Sequence, residues 1–155
     1  MIREILLHPH PLLTRRAEPA ADPDAVIADL LDTMRSFGHC VGIAAPQIGE
    51  SVRVAVVDCT GHRKAPDAHG ELILVNPVIV TAEGAEVGRE GCLSIPELTA
   101  NVRRATRVTV AAEGLRVEAA GFEARAIQHE IDHLDGLLFL DRVESREADV
   151  FVRRR

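Results

Sequence analysis

The chain reads as an α+β protein, with mostly antiparallel sheets packed around a long C-terminal helix that carries an H-E-x-x-H motif. Three observations predict this. Near the start, Val26, Ile27, Leu30, Leu31 and Met34 form an apolar stripe at helical spacing. Short runs rich in β-branched residues, punctuated by glycine and proline, then fill residues 52–119. A second helical stretch, residues 122–134, closes the pattern. Strands gathered between two helices, rather than alternating with them, favour α+β over α/β.

Each element has its own signal. Asp22-Pro23 predicts the first helix start, with aspartate as N-cap and proline at the first helical position, and Gly38 is the expected stop. Residues 52–58 read as a strand. Residues 62–70, polar and containing Pro66, read as a surface loop whose His62 and His69 face solvent. Between Leu72 and Val87 strand formers dominate, interrupted at Pro77 and Gly84. Residues 107–112 and 115–119 flank Glu113-Gly114, a hairpin turn sequence. The final helix is expected to be capped at Gly136. No linker or internal repeat divides the chain, so a single domain over residues 1–155 is expected.

Composition narrows the function. Tryptophan and tyrosine are absent and only 4 phenylalanines occur, so the core must be aliphatic. A net charge of −6 argues against a broad nucleic-acid footprint, and no direct nucleic-acid partner is expected. No apolar run approaches the ~18 residues of a membrane span. Cys40, Cys59 and Cys92 are an odd, widely spaced set, which points to a reducing compartment and a cytoplasmic protein. Residues 1–7 lack the apolar region of a signal peptide, and Arg153-Arg154-Arg155 reads as a solvated terminus.

The chemistry is concentrated in His129-Glu130-Ile131-Asp132-His133. Two histidines at i and i+4 on a helix lie about 40° apart around the axis and roughly 6 Å apart along it. Both imidazoles can therefore reach one metal ion, while Glu130 sits beside it as a proton carrier. Phe122, Ala126, His129 and His133 fall on one helix face, which directs both imidazoles inward.

A catalytic metal site normally takes three protein ligands. Glu144 and Glu147 sit in a charged terminal stretch and read as surface residues. The better candidate is Cys92 in Glu90-Gly91-Cys92-Leu93-Ser94-Ile95-Pro96, where glycine permits close backbone approach. Cys40 and Cys59 lack such a setting and read as core residues. A third segment, Val41-Gly42-Ile43-Ala44-Ala45-Pro46-Gln47, offers small residues and one amide. Gln47 could donate to a developing oxyanion, or it could be an exposed side chain on a tight turn.

Taken together and in order, G-I-A-A-P-Q, E-G-C-L-S and Q-H-E-x-D-H resemble the peptide deformylase family, as do residues 5–13 and 121–140, covering nearly the whole chain. The resemblance implies removal of the formyl group from N-formylmethionyl nascent chains. It implies that Cys92, His129 and His133 bind one divalent metal, Fe2+ in many members, with Zn2+, Ni2+ or Co2+ as substitutes. Glu130 would take a proton from the attacking water and hand it to the departing amine. Gln47 and the Leu93 N–H would hold the carbonyl oxygen, and Val41, Gly42 and Gly91 would offer backbone groups to an extended N-formyl peptide. Glu90 and Arg104 would pair and fix the Cys92 loop. Transient ribosome association is expected, and no membrane partner.

Three features depart from the family's pattern. Cys40 stands where a glycine is usual, Thr99 where some members carry a substrate-contacting arginine, and Gly38-His39 is less acidic than expected. Cys40 and Thr99 motivate a second reading, a homologue acting on a formylated small molecule. A third, non-catalytic reading is a metal-stabilised module that binds nascent-chain termini.

Overall fold

The computed structural model describes residues 1–153. Its elements run α1 (Asp24–Arg35), β1 (Gly42–Ala44), β2 (Val54–Asp58), β3 (Glu71–Val75), β4 (Val78–Glu83), β5 (Glu86–Cys92), β6 (Ile95–Arg104), β7 (Arg107–Ala112), β8 (Leu115–Ala120), α2 (Gly121–Leu134), α3 (Arg146–Asp149) and β9 (Val150–Val152). Three antiparallel sheets result, ordered β1-β2-β3, β4-β7-β8 and β5-β6-β9. The α+β reading therefore holds.

Helix α2 is the hub. Ala124, Ala126, Ile127, Ile131 and Leu134 bury one flank against β1, β2, β7 and β8. Ile127 and Leu134 are fully buried, and each contributes about 1.5–3 kcal/mol through lost apolar surface. Helix α1 closes the other face of the β1-β2-β3 sheet through Leu30 and Met34. A third cluster joins Leu13, Ile95, Val102 and Phe139 behind β6. Apart from Phe139 these cores are aliphatic, as the composition requires.

Several local expectations need correction. Helix α1 starts one residue later than Asp22-Pro23 suggests: Pro23 occupies the cap and no side chain caps it, while Met1's ammonium and Arg3 tie Asp29 within the helix. Gly38 does not stop the helix, which ends at Ser36 through backbone bonds to Thr33 and Met34. Val52 lies outside β2 and bridges Glu18 in parallel. After α2 the chain does not simply trail off, for β9 returns to pair with β6, placing Phe151 opposite Thr99. The sequence around residues 150–152 is too short and too charged at its flanks to announce a strand. Docking on an existing sheet edge creates it.

The end of α2 behaves as its residues dictate. Gly136 adopts φ 77, and a Cβ there would stand 2.8 Å from the Thr14 carbonyl oxygen. Only glycine satisfies both demands. That contact and the Ala17 N–H bond to Leu134 O at 2.9 Å clamp the N-terminal segment against the helix. Further along this segment, Leu6 N–H donates to Gln47 O at 2.8 Å and His8 N–H to Ser94 O at 2.9 Å. The N-terminal stretch is thus a strap across the two loops that carry site residues.

Candidate metal centre and peptide cleft

A cleft of about 750 Å³ opens between β1 and β5 over α2. Both strands are the free edges of their sheets. Of the residues singled out from sequence, Val41, Gly42, Gln47, Gly91, Cys92, Leu93, His129 and Glu130 line it. His133 lies just beneath, 1% exposed.

The donor atoms of Cys92, His129 and His133 lie within 4.8 Å of one another, and Cys92 Sγ is 3.4 Å from His133 Nε2. Two features of the chain produce this convergence. The i, i+4 spacing puts both imidazoles on the same face of α2, with ring centroids 5.0 Å apart. On β5 a register shift between Gly91 and Cys92 re-aims the thiol toward the helix, and Leu93-Ser94 then turns the chain into β6.

Charge follows from these contacts. Burial would raise the Cys92 thiol's pKa, but His133 and His129 beside it outweigh burial and favour the thiolate. Burial would lower His129, yet hydrogen bonds to Cys92 and Glu90 raise it well above its ordinary value. The donor set passes a test of fit for a divalent metal. Cys92 and both imidazoles are buried in mutual reach, and His129 is oriented by a carboxylate on its other nitrogen, as metal-ligating histidines are.

That orienting carboxylate is Glu90, 2.8 Å from His129 Nδ1. Glu90 also takes two bonds from Arg104, each 2.9 Å, and one from Arg125 at 2.8 Å. Burial would raise its pKa, but Arg104 and His129 hold the carboxyl well below the usual carboxylate range. Arg104 continues to Asp132, which Arg142 grips at 2.9 and 3.1 Å. The Glu90–Arg104 pair anticipated from sequence is therefore part of a larger buried network. Arg125, Asp132 and Arg142 escaped the sequence reading. Arg125 could have been suspected from its i−4 position relative to His129; the other two meet only through tertiary folding.

Glu130 has a different environment. It is 4% exposed, and its Oε1 has no hydrogen-bond partner among the described residues. Burial raises its pKa above the usual value. A Cβ on Gly42 would stand 2.7 Å from Glu130 Oε2, so glycine is what lets β1 pass this close to the carboxylate.

Gln47 is 2% exposed rather than a solvent-facing turn residue. Ala44 N–H donates to its Oε1 at 3.0 Å, which turns the amide nitrogen toward Ser94 Oγ at 3.2 Å and Cys92 Sγ at 3.5 Å. Val41 and Gly42 divide. The Val41 carbonyl accepts from Asp58 N–H at 2.8 Å, so its peptide groups face β2, whereas alternation along the strand turns those of Gly42 to the open edge.

Cys40, His62 and His69 take more specific places than their surroundings in sequence suggest. Cys40 packs against the core beneath α1, as expected, and also lines the cleft, where its thiol donates to Gly42 O at 3.1 Å. Burial pushes that thiol up to about 12. His62 is not solvent-facing in the manner expected: it stacks on Phe122 with centroids 4.1 Å apart at the cleft wall. His69 is exposed, as expected, and holds Glu123 at the start of α2 through both its N–H and its ring. Arg153 reaches the cleft too, while Arg154 and Arg155 lie outside the described residues.

An antiparallel α+β shell that converges a thiol and two imidazoles, with a buried carboxylate alongside, defines a metallohydrolase type of centre. A family profile described as polypeptide deformylase matches residues 2–149. The chain is similar to peptide deformylase of Acidobacterium capsulatum, 39% identical over 162 residues, covering 99% of this chain and 94% of that one. Among solved structures it resembles a peptide deformylase from Legionella pneumophila, with TM-score 0.83, 38% identity and coverage of 93% and 87%. It also resembles a Met-Ala-Ser-bound peptide deformylase from Acinetobacter baumannii, with TM-score 0.81, 33% identity and coverage of 92% and 99%. The chain belongs to the polypeptide deformylase family.

Proposed function

We infer that this chain hydrolyses the formyl group from N-formylmethionyl peptides, releasing formate, and that the cleft residues divide the reaction as follows. The observation that carries the reading is the close Cys92, His129 and His133 donor group, with the unpartnered Glu130 carboxylate buried beside it. Cys92, His129 and His133 would hold one divalent cation. When bound, that ion supplies Lewis-acid polarisation of a carbonyl and acidifies water. Fe2+ is taken as the native ion and Zn2+, Ni2+ or Co2+ as substitutes, since a mixed thiolate and imidazole set accepts each of them.

The protein's own groups do the rest. Glu130 accepts a proton from the attacking water and returns it to the departing amine nitrogen. Its raised pKa suits a group that must both take and give that proton. Gln47 Nε2 and the Leu93 N–H donate to the formyl oxygen as negative charge develops there. The Ala44 bond to Gln47 Oε1 fixes the amide before substrate arrives, so little reorganisation is needed. An extended peptide entering between two free sheet edges would add as a strand, with Gly42 on one side and Gly91 on the other and the Val41 side chain forming wall. Ile5, Leu7 and Phe37 give the cleft an apolar side for an unbranched methionine.

The same reading makes residues 1–155 one deformylase domain working in the cytoplasm on nascent chains, in transient contact with the ribosome. No helix among the described residues is long and apolar enough to cross a membrane.

The test is formate release from formyl-Met-Ala-Ser by protein purified anaerobically and analysed for metal. Gln47→Ala should then lower kcat by about 10²–10³-fold, the usual cost of one oxyanion donor, with KM little changed. Absence of formate with metal bound would overturn the reading, and an unaltered kcat in Gln47→Ala would remove Gln47 from it.

A further inference from the structure

One wall of the cleft is cationic, although the protein carries 24 acidic against 18 basic residues. Arg89 and Arg153 both line the cleft and the adjoining groove under β9. Arg89 is held entirely by neutral partners: Asn101 Oδ1 at 3.2 Å, Thr99 Oγ1 at 3.3 Å, and the Phe151 ring 3.9 Å below its guanidinium. Arg153 is anchored by its backbone N–H to Glu97 O at 2.8 Å, which continues the β9–β6 pairing. Its guanidinium lies over Gly91, with Nη2 2.2 Å from where a Cβ would stand, and Thr99 Cγ2 is 3.6 Å from the same point. Gly91 and the short Thr99 side chain thus leave a space on the sheet that Arg153 fills.

Nearby, Arg103, Arg104 and Arg125 each meet a carboxylate. Arg89 and Arg153 meet none among the described residues. Two guanidinium groups lining one cleft wall repel unless an anion joins them. Their planar forks match a carboxylate in geometry. Gly91 immediately precedes Cys92, so the pair flanks the path of a peptide leaving the donor group along β5. At about 3.3 Å per residue, a carboxylate reaching it is carried within roughly three residues of the formylated end.

We propose that Arg153, seated over Gly91 and backed by Arg89, is a specificity-determining residue that binds a carboxylate carried by the formyl peptide just downstream of its first residue. The proposal rests on the deformylase reading given above. The carboxylate is either an acidic side chain or the free C-terminus of a short peptide, and the substrates separate these sources.

Formate release is measured from formyl-Met-Ala-Asp-amide, from formyl-Met-Ala-Ala with a free carboxylate, and from formyl-Met-Ala-Asn-amide. At low salt, kcat/KM for at least one carboxylate peptide should exceed the neutral one by about tenfold, through KM, and fall toward it as salt rises. The peptide showing the preference identifies the source. Arg153→Ala should bring the ratio close to one, Arg153→Lys should keep part of it, and Arg153→Glu should turn the preference toward formyl-Met-Ala-Lys-amide. Arg116→Ala, on exposed β8, should retain the wild-type ratio. Formate release without charge discrimination, or a wild-type ratio in both Arg153→Ala and Arg153→Glu, overturns the proposal alone. Loss of formate release from every peptide by the wild-type protein overturns the deformylase reading and this proposal with it.

Discussion

Glu130→Gln is expected to lose about 10²–10⁴-fold in kcat while keeping its metal, the range general acid–base groups contribute. The amide has the size and shape of the carboxylate it replaces, so the tight packing against Gly42 is preserved. It can no longer take up a proton. Because Glu130 is absent from the converging donor set, metal content should match wild type. Stability supplies a second readout. A buried carboxylate with an unpartnered oxygen is costly to the fold, so removing its charge should leave Tm equal or higher. Formate assays, metal analysis and thermal unfolding on the same preparation check all three. Near-wild-type turnover would remove Glu130 from the chemistry, and a lost metal would make it a ligand instead.

Arg104→Met should cost about 3–5 kcal/mol of stability, because it strips one partner from a buried ion network and leaves Glu90 and Asp132 facing the gap. For a chain of this size that corresponds to a drop in Tm of roughly 6–20 °C. Methionine fills similar volume, so the loss reports charge rather than a cavity. Arg125 and Arg142 remain and keep the network from collapsing outright. The second consequence is functional. Glu90 orients His129, and loosening it should weaken metal binding about 10–100-fold. Thermal unfolding of chelated protein and a competitive chelator titration measure the two effects separately. A Tm within about 2 °C of wild type would show that the remaining arginines neutralise Glu90 and Asp132 unaided.

The Cys40 thiol gives the departure at the head of β1 a physical meaning. At the cleft wall it folds back onto the Gly42 carbonyl without closing the strand edge. A carbonyl oxygen has two lone pairs, and one is left for a substrate N–H. Thr99 likewise does not leave its place on the sheet bare, since Arg153 arrives there from another strand. The Thr99 position looked like a loss in the linear sequence because Arg153 comes from far along the chain.

Local signals determine much of this protein. The 3.6-residue period placed α2 and set both imidazoles on one face, since that geometry depends only on spacing. Glycine and proline marked the breaks between β3, β4 and β5, and Glu113-Gly114 set the β7–β8 hairpin, since turn conformation is decided by a few adjacent residues. What tertiary structure alone decided is everything that depends on elements meeting. The aim of the Cys92 thiol comes from a register shift on β5, the hold on Gln47 from a strap by residues 5–8, the Asp132–Arg142 grip from the turn after α2, and the Arg153 position from β9 finding the edge of β6. Spacing along a chain reports which side chains share a face. Which faces come together is settled by packing and by the partners that buried charges must find.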